Sequence, residues 1–488
     1  MKLCDVLKDI PVRRMKADTQ MEVTGVSCDS RSTAPGELFV AVRGYETDGH
    51  AYIPQAAAQG AAVILCEEPP EADVPYVLVD NSRRALAFAS RNWYGDPASK
   101  LTIIGVTGTN GKTTSTILIK HLLETCLHTR VGLIGTNENI VGDRHFPAAN
   151  TTPESCDLQK LFRMMVDEGC THVVMEVSSH AIALDRIAGL EFAVGLFTNL
   201  TQDHLDFHGT MENYADTKAR LFAQCRAGAV NLDDEWAGRM LQNAPCPMKT
   251  FACTRRDADL VANDVRLSAD GVRFVALSAG QLQRVHLAIP GMFSVYNALG
   301  VIACGLQLGL SLEDCAGALE TAPAVKGRVE RVPTDGDYSI FIDYAVTPDA
   351  LENVLKTLRQ VAQGRLVVLF GCGGDRDRKK RPIMGKIAAD NADFVIVTSD
   401  NPRTEKPEDI VDEIAVGLRG VKTPYQIIVD RREAIAWAID HHLPGDLIVL
   451  AGKGHETYQI IGKTKHHMDE REIVAEHLAR RAGEKTAQ

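Results

Sequence analysis

The sequence predicts an α/β protein built on parallel sheets, and three observations carry that prediction. Short apolar runs alternate with helical stretches along most of the 488 residues, the order expected of strands whose crossovers are helices. One such run, "LTIIGV", passes straight into "TGTNGKTTSTIL", a glycine-rich turn that opens a helix. Towards the end, three further runs finish in glycine-rich or charged tails: "GRLVVLFGCGGDRD", "ADFVIVTSDNPR" and "GDLIVLAGKGHE". In open α/β sheets ligands bind beyond the carboxyl ends of the strands, so these ends are where to look for sites.

Composition sets the bounds. Hydrophobic residues make up 45% and charged residues 24%, the balance of a soluble globular protein. The length allows several domains, each with its own core. No run approaches the roughly 18 apolar residues that span a bilayer. The opening "MKLCDVLKDIPVRRM" lacks the apolar centre of a signal peptide, so a cytoplasmic protein without a membrane partner is expected. The 12 cysteines form no CxxC pair, which favours reduced thiols over disulfides or zinc. A net charge of −11 speaks against nucleic-acid binding, and an anionic substrate would need a local cationic site.

Three blocks follow from patterning. Residues 1–98 hold the runs "GELFVAV", "AAVILCEE" and "VPYVLVD" and a helical "RRALAFASRNWY", closing at the turn "YGDPASK". Residues 99–330 carry the glycine-rich turn and further strand-like runs, "THVVMEVSS" and "FAVGLFTNL". Residues 331–488 repeat the theme of an apolar strand with a polar end.

The turn is a variant of the phosphate-binding loop. Gly111-Lys112-Thr113 fits G-x-x-x-x-G-K-[ST], but Val106 stands where the first glycine belongs, with Gly105 and Gly108 to either side. The physics survives the shift, because Gly108, Thr109, Asn110 and Gly111 can still turn backbone N–H groups towards phosphates. Lys112 would meet the β- and γ-phosphates of ATP, and Thr113, followed by Thr114, would offer a hydroxyl to Mg2+. Glu176 ends the strand-like "VVME", where a carboxylate could reach the metal. His204 follows another strand in "FTNLTQDHLDFHG", and Lys218 lies on the helical "NYADTKARLF".

Together, "GVTGTNGKTT", "EVSSHA", "TNLTQDHLDFHG", "YADTKARLF", "FIDYAVTPDAL" and "AGKGHE" resemble the motifs of the Mur ligase family, ATP-dependent amide-forming enzymes of peptidoglycan synthesis. The resemblance covers all three blocks in order. It implies an N-terminal domain for a UDP-sugar, a central P-loop-type parallel-sheet ATPase and a C-terminal Rossmann-like domain for an amino acid. It further implies a monomer in which Lys218 is carbamylated and serves catalysis with Lys112, Glu176 and His204. Asn297, Arg328 and Asp343 match nucleotide contacts of the family. The family motif D-Y-A-H-x-P has Val346 in place of its histidine here, although Thr347-Pro348-Asp349 still reads as a helix start.

Finer expectations also rest on resemblance. By position, Ser30 and Tyr45, Glu46 and Thr47 would line the uridine-nucleotide site, and Asn150, Thr151, Thr152, Ser178 and Arg186 would meet the rest of UDP-MurNAc-L-Ala-D-Glu. Asp400-Asn401-Pro402-Arg403 resembles the recognition motif of members that add meso-diaminopimelate, whose distal end is an ammonium beside a carboxylate. Arg403 would fork onto that carboxylate while Asp400 and Asn401 face the ammonium. Arg376, Gly452 and Glu456 match the remaining contacts, whereas Lys379, Lys380 and Arg381 read as a solvated charged loop. The alternatives are a relative that adds L-lysine, a folylpolyglutamate synthase-like ligase, or a P-loop switch protein that uses ATP only to change shape.

Overall fold

The computed structural model describes residues 1–44, 47–242 and 244–486. The chain falls into two compact units, one of Met1–Ala262, Ala276–Gln283 and Tyr296–Leu319, the other of Asn263–Val275, Arg284–Val295 and the chain from Glu320 onward. No helix among the described residues is long and apolar enough to cross a membrane.

The first unit begins with five short strands in the order Arg14–Lys16, Tyr76–Leu78, Val63–Cys66, Leu38–Val40 and Val26–Ser27. All neighbours run parallel except the first pair. Val63–Cys66 is an unbroken apolar run because both faces are covered. Val63 and Leu65 pack with Ala85, Leu86 and Ala89 of the helix Ser82–Trp93, and Ile64 and Cys66 with Ile53 and Ala56 of the helix Ile53–Ala58. Asn81 caps the longer helix by accepting from the Arg84 amide at 2.9 Å.

A second sheet in this unit places Thr102–Thr107 at its centre. Its parallel strands stand in the order Met248–Ala252, Cys225–Asn231, Phe192–Phe197, Thr102–Thr107, His172–Glu176 and Val131–Ile134, followed by antiparallel Glu138–Val141 and Arg144–Pro147. Val106 pairs in register with Glu176, and Thr107 with Phe197. From Thr102–Thr107 the chain first builds to one side, then crosses to Phe192–Phe197 on the other. Strand order therefore reverses at the glycine-rich turn, which sets that turn in the crevice where α/β sheets bind ligands.

The second unit is built on six strands in the order Glu330–Val332, Ser339–Asp343, Leu447–Ala451, Leu366–Phe370, Phe394–Val397 and Tyr425–Ile427. Only the first pair is antiparallel. Leu447–Ala451 comes late in the chain yet lies between earlier strands, which brings the ends of distant segments side by side. Separate hydrophobic cores fill its two faces. Thr347 does start a helix, Pro348–Arg359, accepting from the Ala350 amide at 3.3 Å.

The charged stretch 379–381 is not all solvated, contrary to expectation. Lys379 is exposed, but Lys380 Nζ donates to the Val346 carbonyl at 2.8 Å, and Arg381 is fully buried. Arg381 forms ion pairs of 2.8 Å with both Glu405 and Glu413 and donates to the Gly373 carbonyl. It opens the helix Lys380–Asn391, whose first turn is packed under the loop carrying Glu405, so its charge is compensated rather than hydrated. Arg381→Met should strand two half-buried carboxylates and cost about 2–3 kcal/mol, read as a lowered urea midpoint of the second unit.

Candidate active site

The glycine-rich turn is shaped by contacts from far along the chain. Gly108 has φ +149° and Gly111 φ +82°, and side chains at either would collide with remote groups. A Cβ on Gly108 would stand 1.9 Å from Thr198 Oγ1, and one on Gly111 2.5 Å from Asn297 Oδ1. Thr198 Oγ1 donates to the Asn110 carbonyl at 2.7 Å, and Asn199 Oδ1 accepts from the Asn110 amide at 2.9 Å. The Thr109 amide donates to the Asn199 carbonyl, and the Thr201 amide to Thr109 Oγ1. The helix Lys112–Leu127 then starts without a side-chain cap, leaving its positive end open to an anion.

Three candidate groups converge on this turn, and the ring of His204 lies 6.3 Å from that of Tyr214, whose hydroxyl stands 3.3 Å from Thr109 Oγ1. Lys112 Nζ donates to the carbonyls of Gly108 and Thr109 at 3.0 and 2.8 Å. Buried Glu176 accepts from Thr113 Oγ1 at 3.0 Å, and from the amide and hydroxyl of Thr136. Lys218, on the helix Met211–Ala219, is 1% exposed and donates to the Gly108 carbonyl at 2.9 Å. Burial, and then the nearby charge of Lys112, push its ammonium well below the ordinary lysine range. His204 sits in the left-handed region with φ +52°, half exposed, 3.4 Å from Asp203. Asn297 lies buried at the back of the turn with Nδ2 unpartnered, a donor aimed at no protein group.

Sequence reasoning passed over several residues that complete this geometry. His180 lies edge-on to His204 with ring centroids 4.8 Å apart, and His208 stacks on Tyr214 at 4.7 Å. Burial pushes His208 down to about 4, so it is neutral at physiological pH. Tyr214 stands one helical turn before Lys218, its ring 4.6 Å from the amine. Thr198 and Asn199 open the motif "TNLTQDHLDFHG" without being singled out in it, and Thr136 carries no motif of its own. Only their position beside strand ends marks them.

Elsewhere in the same unit a cavity of about 640 Å³ is lined by Ser30, Thr47, Gln55, Arg83 and Glu154 among others. Ser30 Oγ donates to Gln55 Oε1 at 3.0 Å, whereas Tyr45 and Glu46 lie outside the described residues. Glu154 joins this cavity to the 150–152 stretch through an ion pair with Arg186 at 2.6 Å, and Arg83 lies 3.9 Å from its carboxylate. Arg186 also donates to the Thr152 carbonyl at 2.9 Å and keeps a buried, unpartnered Nε. Thr152 Oγ1 donates to the Glu176 carbonyl, Thr151 Oγ1 lies 3.0 Å from Thr136 Oγ1, and Ser178 caps the helix Ser179–Ala183. Asn150 is exposed.

The second unit gathers its own candidates at strand ends. Asp343 accepts from the Val329 amide at 2.8 Å, and burial raises its carboxyl to about 6. The Arg328 guanidinium lies over the Tyr344 ring, 5.4 Å from its centroid. Beyond the strand Phe394–Val397, Asp400 and Asn401 are buried, and Asn401 Nδ2 donates to Glu456 Oε2 at 2.9 Å. After Pro402, Arg403 has φ +51° and points Nη1 at the Gly374 carbonyl, 2.8 Å away. Its backbone is held by the hairpin Tyr458–His467, donating to the Ile460 carbonyl and accepting from the Gly462 amide. Gly452 donates to the Asp343 carbonyl, and Arg376 is exposed beside Asp375.

Two sheets with ligand-type loops at their switch points, one P-loop-like and one lined by paired acids and arginines, define a class of nucleotide-dependent ligase. Family models match the chain over most of its length: "Mur ligase family, catalytic domain" at residues 22–94, "Mur ligase middle domain" at 106–305 and "Mur ligase, glutamate ligase domain" at 327–454. The chain belongs to the Mur ligase family. Among its relatives, the UDP-N-acetylmuramoyl-L-alanyl-D-glutamate–2,6-diaminopimelate ligase of Caldanaerobacter subterraneus subsp. tengcongensis is 45% identical, over 98% of this chain and 99% of that protein. The protein of the same name from Clostridium tetani is also 45% identical, with the same coverage of both chains. A solved structure of a protein with this name superposes with a TM-score of 0.73 at 33% identity, covering 99% of each chain.

Proposed function

We propose that this chain is the ATP-dependent ligase that adds meso-diaminopimelate to UDP-MurNAc-L-Ala-D-Glu. The observation that carries the reading is the second unit's strand-end site, where Glu456 accepts from Asn401 Nδ2 and the loop of Asn401 also carries Asp400 and Arg403. It suits a distal centre that bears an ammonium and a carboxylate together. A substrate with a lone ammonium would leave the guanidinium without an anionic partner. The relatives' shared name supports the same substrate.

A carboxylate resists direct attack by an amine, because oxide would have to leave. The reading therefore has the substrate's carboxylate take the γ-phosphoryl group of ATP, forming an acyl phosphate and ADP. The diaminopimelate amine then adds to the carbonyl, phosphate leaves with the C–O bonding pair, and the amine loses a proton. The protein's work is to neutralise phosphate charge and align the attack. Lys112 and the amides of Gly111–Thr114 hold the phosphates, those of Thr109 and Asn110 being taken by Asn199, and Asn297 offers its free Nδ2 to the nucleotide. Arg328 and Asp343 are further nucleotide contacts in this reading. The hydroxyl of Thr113 and the carboxylate of Glu176, 3.0 Å apart, are hard oxygen donors that suit Mg2+, and His204 and a carbamylated Lys218 are the further metal-site residues of this reading. When bound, Mg2+ would offset charge on the β- and γ-phosphates. The Ser30–Glu154 cavity and Arg186 hold the UDP-sugar peptide. The division into domains at residues 98 and 330, a cytoplasmic location and a monomeric state belong to the same reading.

One assay tests it: ADP release with the UDP-dipeptide, with and without each candidate amino acid. Release that requires meso-diaminopimelate is expected. Release independent of any amino acid would point to a switch protein, and a preference for L-lysine to a different member of the family.

Arg403→Ala should raise the KM for meso-diaminopimelate by roughly ten- to a few hundred-fold. A charge-assisted contact to the distal carboxylate is worth about 1.5–3 kcal/mol or more, and each 1.36 kcal/mol is tenfold. Initial-rate kinetics should show the KM values for ATP and the UDP-dipeptide nearly unchanged.

A further inference from the structure

The acids of the strand-end site do not stand alone. Lys453, of the loop that follows Leu447–Ala451, is fully buried, with Nζ enclosed by four oxygens. It donates to Asn401 Oδ1 at 2.6 Å and to the Tyr458 carbonyl at 2.8 Å, and pairs with Asp400 Oδ1 and Glu456 Oε2 at 3.2 Å each. Asn401 is used at both ends, since its Oδ1 also accepts from the Ile460 amide and its Nδ2 serves Glu456. Asn401 therefore has no acceptor left for a ligand ammonium. Asp400 and Glu456 each keep one oxygen that Lys453 does not take.

We propose that Lys453 is a positioning residue that sets the specificity of this subsite, holding Asp400 and Glu456 at fixed spacing and cancelling one of their two charges. Two carboxylates sharing a desolvated site repel each other and over-attract cations unless a counter-charge lies between them. With Lys453 in place, the acids present about one net negative charge, matched to one ammonium. Arg403 is then free to answer the adjacent carboxylate. Without it, the same acids would favour a purely cationic end group over a zwitterionic one. The residue acts through Asp400 and Glu456 rather than by touching substrate, and the inference rests on reading this site as the diaminopimelate subsite.

The test measures kcat and KM of the full-length enzyme for meso-diaminopimelate, and the constant for L-lysine as substrate or competitive inhibitor, in wild type and Lys453→Met. Methionine keeps the length and removes the charge. The expected result is a tenfold or greater rise in the diaminopimelate KM, with L-lysine affinity falling less or improving, so that the ratio between the two narrows. Unchanged KM values for ATP and the UDP-dipeptide should accompany it. A double-mutant cycle with Glu456→Gln should show coupling, the double variant losing less than the two single losses combined. Equal losses for both amino acids would mean a merely structural role and overturn the inference, as would no change at all. If Lys453→Met does not fold, Glu456→Gln alone carries the test. Its surplus positive charge should then cost L-lysine more than meso-diaminopimelate, and equal costs would again overturn the inference. Wild-type enzyme that ignores meso-diaminopimelate would instead defeat the functional reading, which keeps the two failures apart.

Discussion

Lys112→Ala is expected to abolish ATP-dependent ligation and leave the fold intact. The side chain packs into no core. Its amine donates to the carbonyls of Gly108 and Thr109, which belong to the same turn. Those carbonyls are weak partners for a full charge compared with a triphosphate, so the lysine can exchange them for phosphate oxygens when ATP binds. Charge develops on those oxygens as the γ-phosphoryl group moves. A preorganised cation there contributes about 3–4 kcal/mol of transition-state stabilisation, on the order of a hundred- to a thousand-fold in kcat. The measurement is ADP release at saturating substrates, with far-UV circular dichroism as the check on folding. Near-normal turnover would remove the loop from the mechanism.

A loss of similar size is expected for Lys218→Ala, with a different signature. In the folded protein this amine is buried, its hydrogen bond goes to a carbonyl, and Lys112 adds repulsion. Burial, and then the charge of Lys112, outweigh the opposing pull of Asp203 and disfavour an ammonium there, whereas a neutral amine can attack CO₂ and become an anionic carbamate. Because its folded-state pKa lies below the free value, the amine is neutral at a pH where an exposed lysine is still charged. Carbamate, and with it activity, should therefore be present above that depressed pKa and fade as pH falls through it. Lys218→Ala should be partly rescued by short carboxylates such as acetate or propionate, which can enter the space left and restore an anion. Labelled bicarbonate should give a carbamate carbonyl signal by NMR in wild type and none in the variant. A plain ammonium under CO₂-replete turnover would sink the idea.

How much of this was readable in advance depends on the distance over which each feature is decided. The α/β class, the strand–turn–helix around Gly108–Thr114, the helix start at Thr347 and the strands with polar ends in the last block were all legible in the sequence. Each is set within a dozen contiguous residues, by apolar runs that must be covered on both faces, by turn chemistry and by caps. The family itself was legible for the same reason, since its motifs are local.

Charge compensation was not legible, because it is a property of packing between remote segments. Arg381 read as a solvated lysine-and-arginine loop until the fold laid it beneath Glu405 and Glu413. The glycine at 108 is demanded by Thr198, about ninety residues away, and the burial of Lys218 by a helix folded against that turn. Asn401 looked like a ligand group, yet Lys453 and the hairpin strand Tyr458–Ile461 occupy its oxygen. A sequence shows which side chains carry charge. Only the tertiary structure decides which charges are desolvated and which group answers each, because a buried charge is tolerated only where a partner from elsewhere in the chain meets it.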